Sequence, residues 1–362
     1  EDLIVSKKEL SNSLKAIDTK VLKALKNAIK RIKDYHKKQI PKNNIYKDDK
    51  GVILGGLWNP VESVCLYVPG GTASYPSSLI MNAIPAIVAG VKRIVVTVPT
   101  LSGKLNPVIL ASAKLLGIRE IYKIGGAQAI AALALGTKKI NKVDKIVGPG
   151  NAYVATAKKK LFGKVGIDMI AGPSEILVIA DNKNNPEHIA LDLLSQAEHD
   201  ILAQSILITD DESFAKDVIL KVDQILLNLD RREIAKKSWN DFGAVIICKN
   251  LRMSADLVNQ IAPEHLEIAT SKAEIFLKKI KNAGAVFLGR YTPEAIGDYV
   301  AGPNHVLPTD RTAKFSSGLN VLDFFKRTSV VSCNSRNLKK IGKNAIILAN
   351  QEGLQAHALS IE

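Results

Sequence analysis

The stretch from Glu175 to Thr209, EILVIADNKNNPEHIALDLLSQAEHDILAQSILIT, determines the fold class. An apolar run rich in β-branched residues, Ile176–Ala180, is followed by a helical stretch, Pro186–Glu198, and by a second apolar run, Ser205–Thr209. Strands that alternate with helices in this way form parallel sheets with helices on both faces. Because the runs lack alternation of apolar and polar residues, we expect the sheet to be buried on both sides.

The same alternation continues in both directions along the chain. A helix is predicted over Ser213–Leu229. Further apolar strands are predicted at Val64–Val68, Arg93–Val98, Ile121–Ile124, Lys145–Val147 and Ala244–Cys248. The segment Asp168–Glu175 has the Gly-Pro punctuation of a crossing between two units. The sequence therefore predicts two α/β domains of similar design.

The two ends of the chain follow other patterns. Ser6 and Glu9 form a capping-box pattern, and apolar residues then recur at helical spacing until Pro41, which predicts two amphipathic helices. Past Pro303 the pattern breaks into glycine- and serine-containing loops. We predict four parts: N-terminal helices packing with the second α/β domain (1–66), a first α/β domain (67–174), a second (175–320) and a C-terminal tail unit (321–362).

The charge balance raises the question of a nucleic-acid partner. The 362 residues include 50 Lys or Arg against 35 Asp or Glu, a formal charge of +15. Only 10 of the basic residues are Arg, which favours base and phosphate readout, and aromatic residues make up only 5% of the chain. We interpret the excess as a solvated lysine-rich surface and predict no nucleic-acid partner.

Cysteine usage and apolar run lengths bear on the compartment. Cys65, Cys248 and Cys333 lie far apart without paired spacing, so neither a disulfide framework nor a thiolate zinc site is predicted. The longest apolar runs fall short of the roughly 20 residues of a membrane span. With no export signal visible, we expect a cytoplasmic protein that does not cross a membrane.

Three glycine-rich turns follow predicted strands. They are Tyr67–Gly71, Gly125–Gln128 and Gly148–Asn151. Bare backbone at the carboxyl ends of parallel strands, before helix N-termini, is how doubly wound domains bind phosphates or nucleotides. Taken singly, each turn is equally compatible with a purely geometric role for its glycines.

Polar side chains with catalytic or ligand chemistry recur in four places. Gln196 and His199 stand at i and i+3 on one predicted helix face, although a histidine at a helix C-terminus is also common without a function. Glu264 and His265 are a carboxylate and an imidazole side by side, suited to proton transfer or to a structural role. Two further polar clusters follow: one contains Asp298 and His305, and the other contains Glu352 and His357. Imidazole, carboxylate and amide oxygen without thiolate suit catalytic Zn²⁺, and Mn²⁺ is also tolerated.

Taken together, these segments closely resemble the histidinol dehydrogenase family. The resemblance runs in order from about residue 20 to the end, over Tyr67–Gly71, Gly125–Ala129, Gly148–Asn151, Ala171–Glu175, Ser195–His199, Ala262–Glu267, Tyr291–Pro308 and Glu352–His357. It implies two Rossmann-like domains and a homodimer with one zinc ion per subunit. It also implies oxidation of L-histidinol to L-histidine with two NAD⁺, in the last steps of histidine biosynthesis.

The resemblance also implies residue roles. The metal ligands would be Gln196, His199, Asp298 and His357. Glu264 and His265 would be the proton-transfer pair. The substrate would contact the same ligands and His265 together with Ser174, His305 and Glu352, and the NAD site would be lined by Tyr67, Gln128 and Asn151. Family members normally begin some tens of residues earlier, and their tail is exchanged between subunits, so Glu352 and His357 are expected to enter the partner's site.

The residues alone support the same reaction. Alcohol oxidation needs a base for the hydroxyl proton, and His265 is the plausible one; the resulting aldehyde must then add water or a thiol. No cysteine lies in any motif, so water is required, and Glu264 is suited to activate it. Two alternatives stay open: a related dehydrogenase for another small alcohol, and a basic binding protein on a degenerate scaffold, which predicts steeply salt-dependent nucleic-acid binding and no metal.

Overall fold

The computed structural model describes residues 3–70, 75–100 and 105–362. Gly71, the last residue of the first predicted glycine turn, lies outside the described residues. Within the described residues, no helix combines the length and apolar character needed to cross a membrane.

The N-terminal elements are two helices and two strands. They are α1 Lys7–Asn12, α2 Thr19–Lys37, β1 Asn44–Lys47 and β2 Ile53–Pro60. The predicted capping box is confirmed: the Glu9 N–H donates to Ser6 Oγ at 3.1 Å, and the Ser6 N–H donates to Glu9 Oε2 at 2.8 Å. Asp18 caps α2 by accepting the Lys20 N–H at 2.6 Å. Local polar side chains thus fix where both helices begin.

The first parallel sheet has the order β5-β4-β3-β6-β7. Its elements are β3 Ser63–Tyr67, α3 Pro76–Ala89, β4 Arg93–Thr97, α4 Pro107–Leu115, β5 Glu120–Tyr122, α5 Gly126–Leu135, β6 Lys145–Val147, α6 Ala152–Leu161 and β7 Gly166–Ile167. Val64 and Leu66 pack into the core on one face, and Cys65 and Tyr67 pack into the core on the other. The predicted burial of both sheet faces is therefore confirmed here.

The second parallel sheet has the order β10-β9-β8-β11-β12. Its elements are β8 Glu175–Ala180, α7 Pro186–Ala197, β9 Gln204–Thr209, α8 Glu212–Leu226, α9 Arg232–Phe242, β10 Ala244–Ile247, α10 Ser254–Ile261, β11 His265–Ala269, α11 Ala273–Leu277 and β12 Ala285–Leu288. Residues of β8 again alternate between two cores. The predicted α/β class with parallel sheets is confirmed.

The rest of the chain contains α12 Ala295–Tyr299, β13 Phe325–Ser332, α13 Ser335–Gln351 and α14 Gln355–Leu359. Strand β13 pairs antiparallel with β2, which pairs antiparallel with β1. This third sheet was not predicted. Its middle strand contains Gly55 and Gly56, and most of the exposed β13 is polar, so neither gives a strong strand signal.

We expected the N-terminal helices to pack on the second α/β unit, but they pack mainly on the first. Leu25, Ala28 and Ile32 of α2 share a core with Ile80 and Ile84 of α3, in the first unit. The reason is that α3 is apolar nearly all round and needs a covering helix on its outer face. An arginine of α2 also contacts the part of the chain after the second sheet. Its guanidinium donates hydrogen bonds to the backbone oxygens of residues 300 and 301.

Candidate active site

The two predicted proton-transfer residues lie at the amino end of the second sheet. His265 is the first residue of β11, and Glu264 immediately precedes it. Strand β11 pairs with β8, whose first residue is Glu175. Helix α10 ends at Ile261, and Ala262 adopts a left-handed conformation, with φ 54° and ψ 59°, that turns the chain into the strand. This turn allows two adjacent residues to serve one site.

Glu175 binds both of these residues. Its N–H donates to Glu264 Oε2 at 2.9 Å, and its carbonyl oxygen accepts a hydrogen bond from His265 Nδ1 at 3.0 Å. Its carboxylate accepts the N–H of Glu264 at 3.3 Å and the N–H of Asp310 at 2.8 Å. Sequence reasoning gave Glu175 no role, yet it fixes the orientation of the pair.

These contacts define which nitrogen of His265 can act as a base. A carbonyl oxygen can only accept, so Nδ1 carries the proton and Nε2 of the neutral ring is the free basic nitrogen. Burial lowers the pKa of His265 to about 4, against a smaller raising effect of Asp298. The ring is therefore neutral at physiological pH. Its Nε2 is buried, has no hydrogen-bond partner and lies 3.4 Å from Glu294 Oε1.

Glu264 has the opposite tendency. Its side chain is almost fully buried, and its Oε2 lies 3.6 Å from His265 Nδ1. Burial raises the pKa of Glu264 well above its ordinary value, and the charges of Glu175, Asp298 and Glu294 raise it further. Such a carboxyl group can hold and release a proton much closer to neutrality than an exposed one.

Two carboxylates of one short helical segment meet His265. Glu294 precedes α12 and Asp298 follows one turn later, so both point to the same side. His265, Glu294 and Asp298 each offer one ligand atom, and these atoms lie within 4.8 Å of one another. We call these three residues the buried cluster. Asp298 Oδ1 also lies 3.4 Å from His305 Nδ1.

The carboxylates of the buried cluster differ in their pKa. Burial raises the pKa of Glu294 to about 8, and the neighbouring Asp298 adds to the shift. For Asp298, burial again acts to raise the pKa, but the hydrogen bond and charge of His305, with smaller effects of His265 and His199, leave it below its ordinary value. The ionised Asp298 is therefore the better cation ligand of the two.

The end of helix α7 borders the buried cluster. Ser195 Oγ lies 3.5 Å from Glu294 Oε2. Gln196, the next residue, is 2% exposed, and its Oε1 is buried without a hydrogen-bond partner. His199 lies just past the helix, held in a helical turn by its N–H to the carbonyl of Gln196, and its charge acts on the pKa of both Asp298 and His265.

The donors at this site fit a divalent metal ion. Gln196 Oε1 and His265 Nε2 are both buried acceptors without partners, beside the ionised Asp298. Buried polar atoms without partners are rare unless a water, an ion or a ligand completes them. Of the four predicted ligands, Asp298 belongs to the buried cluster, which also includes Glu294 and His265 from outside that set. The charge of His199 acts on Asp298 and His265, and Gln196 lies at the end of α7 next to Ser195, which contacts Glu294.

A cavity of about 290 Å³ opens beside the buried cluster. His265, Asp298 and His305 line one part of it, and Tyr35 of α2 and Gln39, just past the end of that helix, line another. Leu307, Leu319 and Phe287 supply apolar wall. The size and lining suit a small polar molecule that carries an aromatic ring.

Five of the predicted substrate contacts are not part of the cavity lining: Ser174, Gln196, His199, Glu352 and His357. Ser174 is half-buried next to Glu175, at the amino end of β8. Glu352 and His357 lie exposed at the end of α13 and on α14, and no described hydrogen bond or ion pair joins their side chains to the buried cluster. A single chain does not bring these last two residues to the site.

The predicted cofactor residues lie at the carboxyl end of the first sheet. Tyr67 ends β3, and its hydroxyl accepts the Gly126 N–H at 3.0 Å, which joins the first two glycine turns. Gln128 is exposed, and a Cβ on Gly126 would come within 2.7 Å of its Oε1. Asn151 caps α6 by accepting the Val154 N–H at 3.2 Å, which leaves its side-chain NH₂ group for a ligand.

The residue that sequence reasoning missed at the buried cluster is Glu294. It lies within the segment Tyr291–Pro308, but only Asp298 and His305 were singled out there. The spacing of four residues between the two carboxylates on a short helix was the available signal. Nothing in the sequence indicated that this helix would meet the start of β11.

Comparisons with known proteins are consistent across the whole chain. A family model described as histidinol dehydrogenase matches residues 1–362. A protein from Rhodospirillum rubrum named histidinol dehydrogenase is 58% identical over 362 residues, which are 100% of this chain and 83% of that protein. One from Nostoc sp., named histidinol dehydrogenase 1, is 59% identical over 93% of this chain and 78% of its own length. The crystal structure of histidinol dehydrogenase from Elizabethkingia anophelis superposes with a TM-score of 0.96 at 39% identity, covering 99% of this chain and 83% of that chain.

Proposed function

This chain belongs to the histidinol dehydrogenase family, and we propose that it oxidises L-histidinol to L-histidine through the aldehyde with two NAD⁺. Membership at this identity makes it an NAD-dependent oxidoreductase of histidine biosynthesis. The observation that carries the assignment to particular residues is the unpartnered Nε2 of His265, which belongs to a neutral ring and lines the cavity.

His265 is the base in both oxidations. In the first, Nε2 takes the hydroxyl proton as hydride leaves the carbinol carbon. It returns this proton to the aldehyde oxygen as water adds, and in the second oxidation it takes the hydroxyl proton of the hydrated aldehyde. When bound, NAD⁺ would accept one hydride in each oxidation. The bond from Nδ1 to the Glu175 carbonyl keeps the ring in the required tautomer and stabilises the imidazolium that forms.

Glu264 activates the water that adds to the aldehyde. Its raised pKa suits proton transfer near neutrality, and its bond from the Glu175 N–H holds the carboxyl group beside His265. A role for water is supported because none of the cysteines is one of the proposed site residues. Cys65 is buried in β3, and Cys248 and Cys333 belong neither to the proposed metal and proton-transfer residues nor to the proposed NAD residues.

The experiment compares the two oxidations in a Glu264→Gln variant. NADH formation is measured separately with histidinol and with the corresponding amino aldehyde. Aldehyde oxidation should fall about 10²-fold or more and alcohol oxidation much less, because only the former needs activated water. Equal losses in both oxidations would refute the role of Glu264, and a parent protein that forms no NADH with histidinol would refute the function.

For the metal we propose Zn²⁺ held by Gln196, His199 and Asp298 with His357 of a second subunit. When bound, the ion would hold and orient the imidazole and amine of the substrate. The substrate would further contact His265, Ser174, His305 and Glu352. The unpartnered Gln196 Oε1 and the ionised carboxylate of Asp298 support the site, and Mn²⁺ is compatible with the same donors.

The buried cluster offers a competing ligand set, with His265 and Glu294 in place of residues from α7 and the tail. Metal analysis of the purified protein separates the two sets. His357→Asn should remove most of the bound metal if the proposed set is right. If His357→Asn keeps full metal and Glu294→Gln loses it, the ion would occupy the buried cluster and His265 could not act as the base.

We further propose a homodimer whose sites are completed by the partner's tail. Exposed apolar side chains on α13 and α14, including Ile347, Leu348 and Leu359, support burial of this tail against a second subunit. Heterodimers that combine His357→Asn with Gln196→Glu should regain partial activity, because one of their two sites carries neither change. No activity in verified heterodimers would refute shared sites.

The NAD side of the site is proposed at Tyr67, Gln128 and Asn151. Tyr67 ends β3, Gln128 lies in the first turn of α5 after β5, and Asn151 follows β6 and caps α6, which supports this assignment. Three cysteines without a disulfide among them support our proposal of a reducing, cytoplasmic setting.

A further inference from the structure

The third glycine turn, Gly148–Asn151, lies at the switch point of the first sheet. Strands β4 and β5 lie on one side of β3, and β6 and β7 lie on the other, so the crevice is between the carboxyl ends of β3 and β6. Gly148 follows β6 with φ +111°, and an added Cβ would come within 2.2 Å of the Tyr67 carbonyl oxygen. Only glycine can bring the two backbones this close.

A buried ion pair binds the backbone of Gly148. Lys158 of α6 and Asp168, just after β7, form a salt bridge with side chains 3% and 1% exposed. Asp168 Oδ2 accepts the Gly148 N–H at 2.7 Å, and Lys158 Nζ donates to the Gly148 carbonyl oxygen at 3.0 Å. One ion pair therefore binds both peptide groups that flank the glycine.

The anchoring leaves a set of donors free. The N–H groups of Gly150 and Asn151 make no hydrogen bond within the described residues, and they immediately precede α6. Free N–H groups at the start of a helix, together with its dipole, bind phosphate oxygens. Where these donors point depends on the backbone of Gly148, because Pro149 fixes the next φ angle.

Stability alone does not account for this ion pair. Replacing a buried ion pair by apolar side chains of similar volume is often neutral or stabilising, because the charges lose their hydration when buried. The Lys158–Asp168 pair is one of the most deeply buried in the described part of the chain, and both of its members bind the backbone of the turn.

We propose that Lys158 and Asp168 are positioning residues for the dinucleotide: they fix the Gly148 turn so that its free N–H groups meet the phosphates of NAD. The inference rests on the proposed cofactor side at Tyr67, Gln128 and Asn151. It adds two residues that touch neither substrate nor reacting atoms and act through the backbone of the turn.

The test measures NADH affinity by calorimetry and thermal stability in matched variants. Lys158→Met with Asp168→Leu removes both charges and both anchors, and Lys158→Met with Asp168→Asn keeps an acceptor for the Gly148 N–H. The control removes another ion pair of the same sheet: Arg93 binds Glu120 at 2.9 and 2.7 Å, at the amino ends of β4 and β5 and away from the turn. The control double variant is Arg93→Met with Glu120→Leu.

The expected result is a ranking of NADH dissociation constants. The dissociation constant for NADH should rise about tenfold in the Leu-containing variant, because charged hydrogen bonds to the turn are lost. It should rise about threefold in the Asn-containing variant. The control should stay within about twofold of the parent, with a Tm that falls at least as far as in the other variants. If the Leu-containing variant does not fold, the Asn-containing variant carries the test.

Two outcomes would overturn the inference. One is parent-like NADH affinity in the Lys158/Asp168 variants; the other is an equal loss of affinity in the Arg93/Glu120 control, which would mark a general effect of stability. A parent protein that binds no NADH would instead overturn the proposed cofactor side, and the positioning role with it.

Discussion

The two parallel sheets share one strand order, but the proposed functional residues lie at the carboxyl ends of the strands in one sheet and at the amino ends in the other. In each sheet the first strand lies in the middle, the next two lie on one side and the last two on the other. In the first sheet, the proposed cofactor residues lie at the carboxyl ends: Tyr67 ends β3, Gln128 lies in α5 after β5, and Asn151 follows β6. In the second, His265 begins β11 directly after Glu264, so the proposed proton-transfer residues lie at the amino end.

The difference lies in what fills each crevice. After β8 the second sheet has Asp181, whose carboxylate is bound by Arg290 from beyond β12 at 2.5 and 2.6 Å. Asn184 Nδ2 donates to the Ala269 carbonyl oxygen at 2.7 Å and so bridges the ends of β8 and β11. The corresponding turns of the first sheet contain glycines and free N–H groups. Strand order alone therefore does not place the function; the residues after each strand do.

The largest effect is expected at the amino end of the second sheet. His265→Gln should lower kcat by about 10³-fold in both oxidations, because the base for each hydroxyl proton is lost. Stopped assays with histidinol and with the aldehyde measure this. His36→Gln is the control, since His36 is equally buried and bonded through Nδ1 to a backbone carbonyl, at 2.8 Å. A loss confined to KM in His265→Gln would contradict the base role.

A smaller effect is expected from the residue that holds this pair. Glu175→Ala removes the acceptors of the Glu264 and Asp310 N–H groups and should lower kcat about tenfold, with little change in NADH affinity. Glu175→Gln keeps one side-chain acceptor and should recover part of the loss. If both variants have parent-like kcat, the side chain of Glu175 does not position the pair.

At the carboxyl end of the second sheet, we expect an effect on stability alone. Asp181→Asn leaves Arg290 without its carboxylate and should lower the free energy of unfolding by about 1–3 kcal/mol, since the pair is partly buried. Denaturant titration measures the loss, and NADH affinity and kcat should stay at the parent values. Reduced NADH affinity at parent-like stability would place a cofactor contact at this end and break the comparison.

The smallest effect concerns the helix that covers the first sheet. Hydrogen bonds from Lys123, at 2.6 Å, and from the Ser6 N–H lower the pKa of Glu9 to about 2. This stabilisation is fully present above the unfolded pKa and is lost as the pH falls through the folded one. Glu9→Gln should therefore cost less than about 1 kcal/mol at neutral pH. That difference should shrink below about pH 4.5 in urea titrations; one that grows in acid would contradict the assignment.

Much of the fold could be predicted because its signals are local. Apolar runs gave β8 and β9 to within a residue and β6 without error, and the capping box gave the start of α1. The three-stranded antiparallel sheet was missed because β13 pairs with β2 across most of the chain, and no local pattern encodes that pairing. The prediction of where α2 packs was wrong, because the apolar stripe of the helix does not specify which apolar surface will cover it.

The site divides in the same way. Residue types and spacing predicted Glu264 with His265, and the structure brings His265, Asp298 and His305 to the lining of one cavity. Glu294 had only its four-residue spacing from Asp298 as a signal, and Glu175 could not be singled out, since its contacts depend on where β8 meets β11. The partner for each buried acceptor is a property of packing, which a sequence pattern alone does not contain.

A crystal structure with NAD⁺ and L-histidinol bound tests most directly whether the first sheet binds the dinucleotide and the second supplies the proton-transfer residues. We predict the pyrophosphate at the Gly148 turn and the substrate hydroxyl about 3 Å from His265 Nε2. A dinucleotide bound after β8 and β11, with the Asp181–Arg290 pair displaced, would contradict it. So would a substrate hydroxyl that contacts no atom of His265 in either subunit.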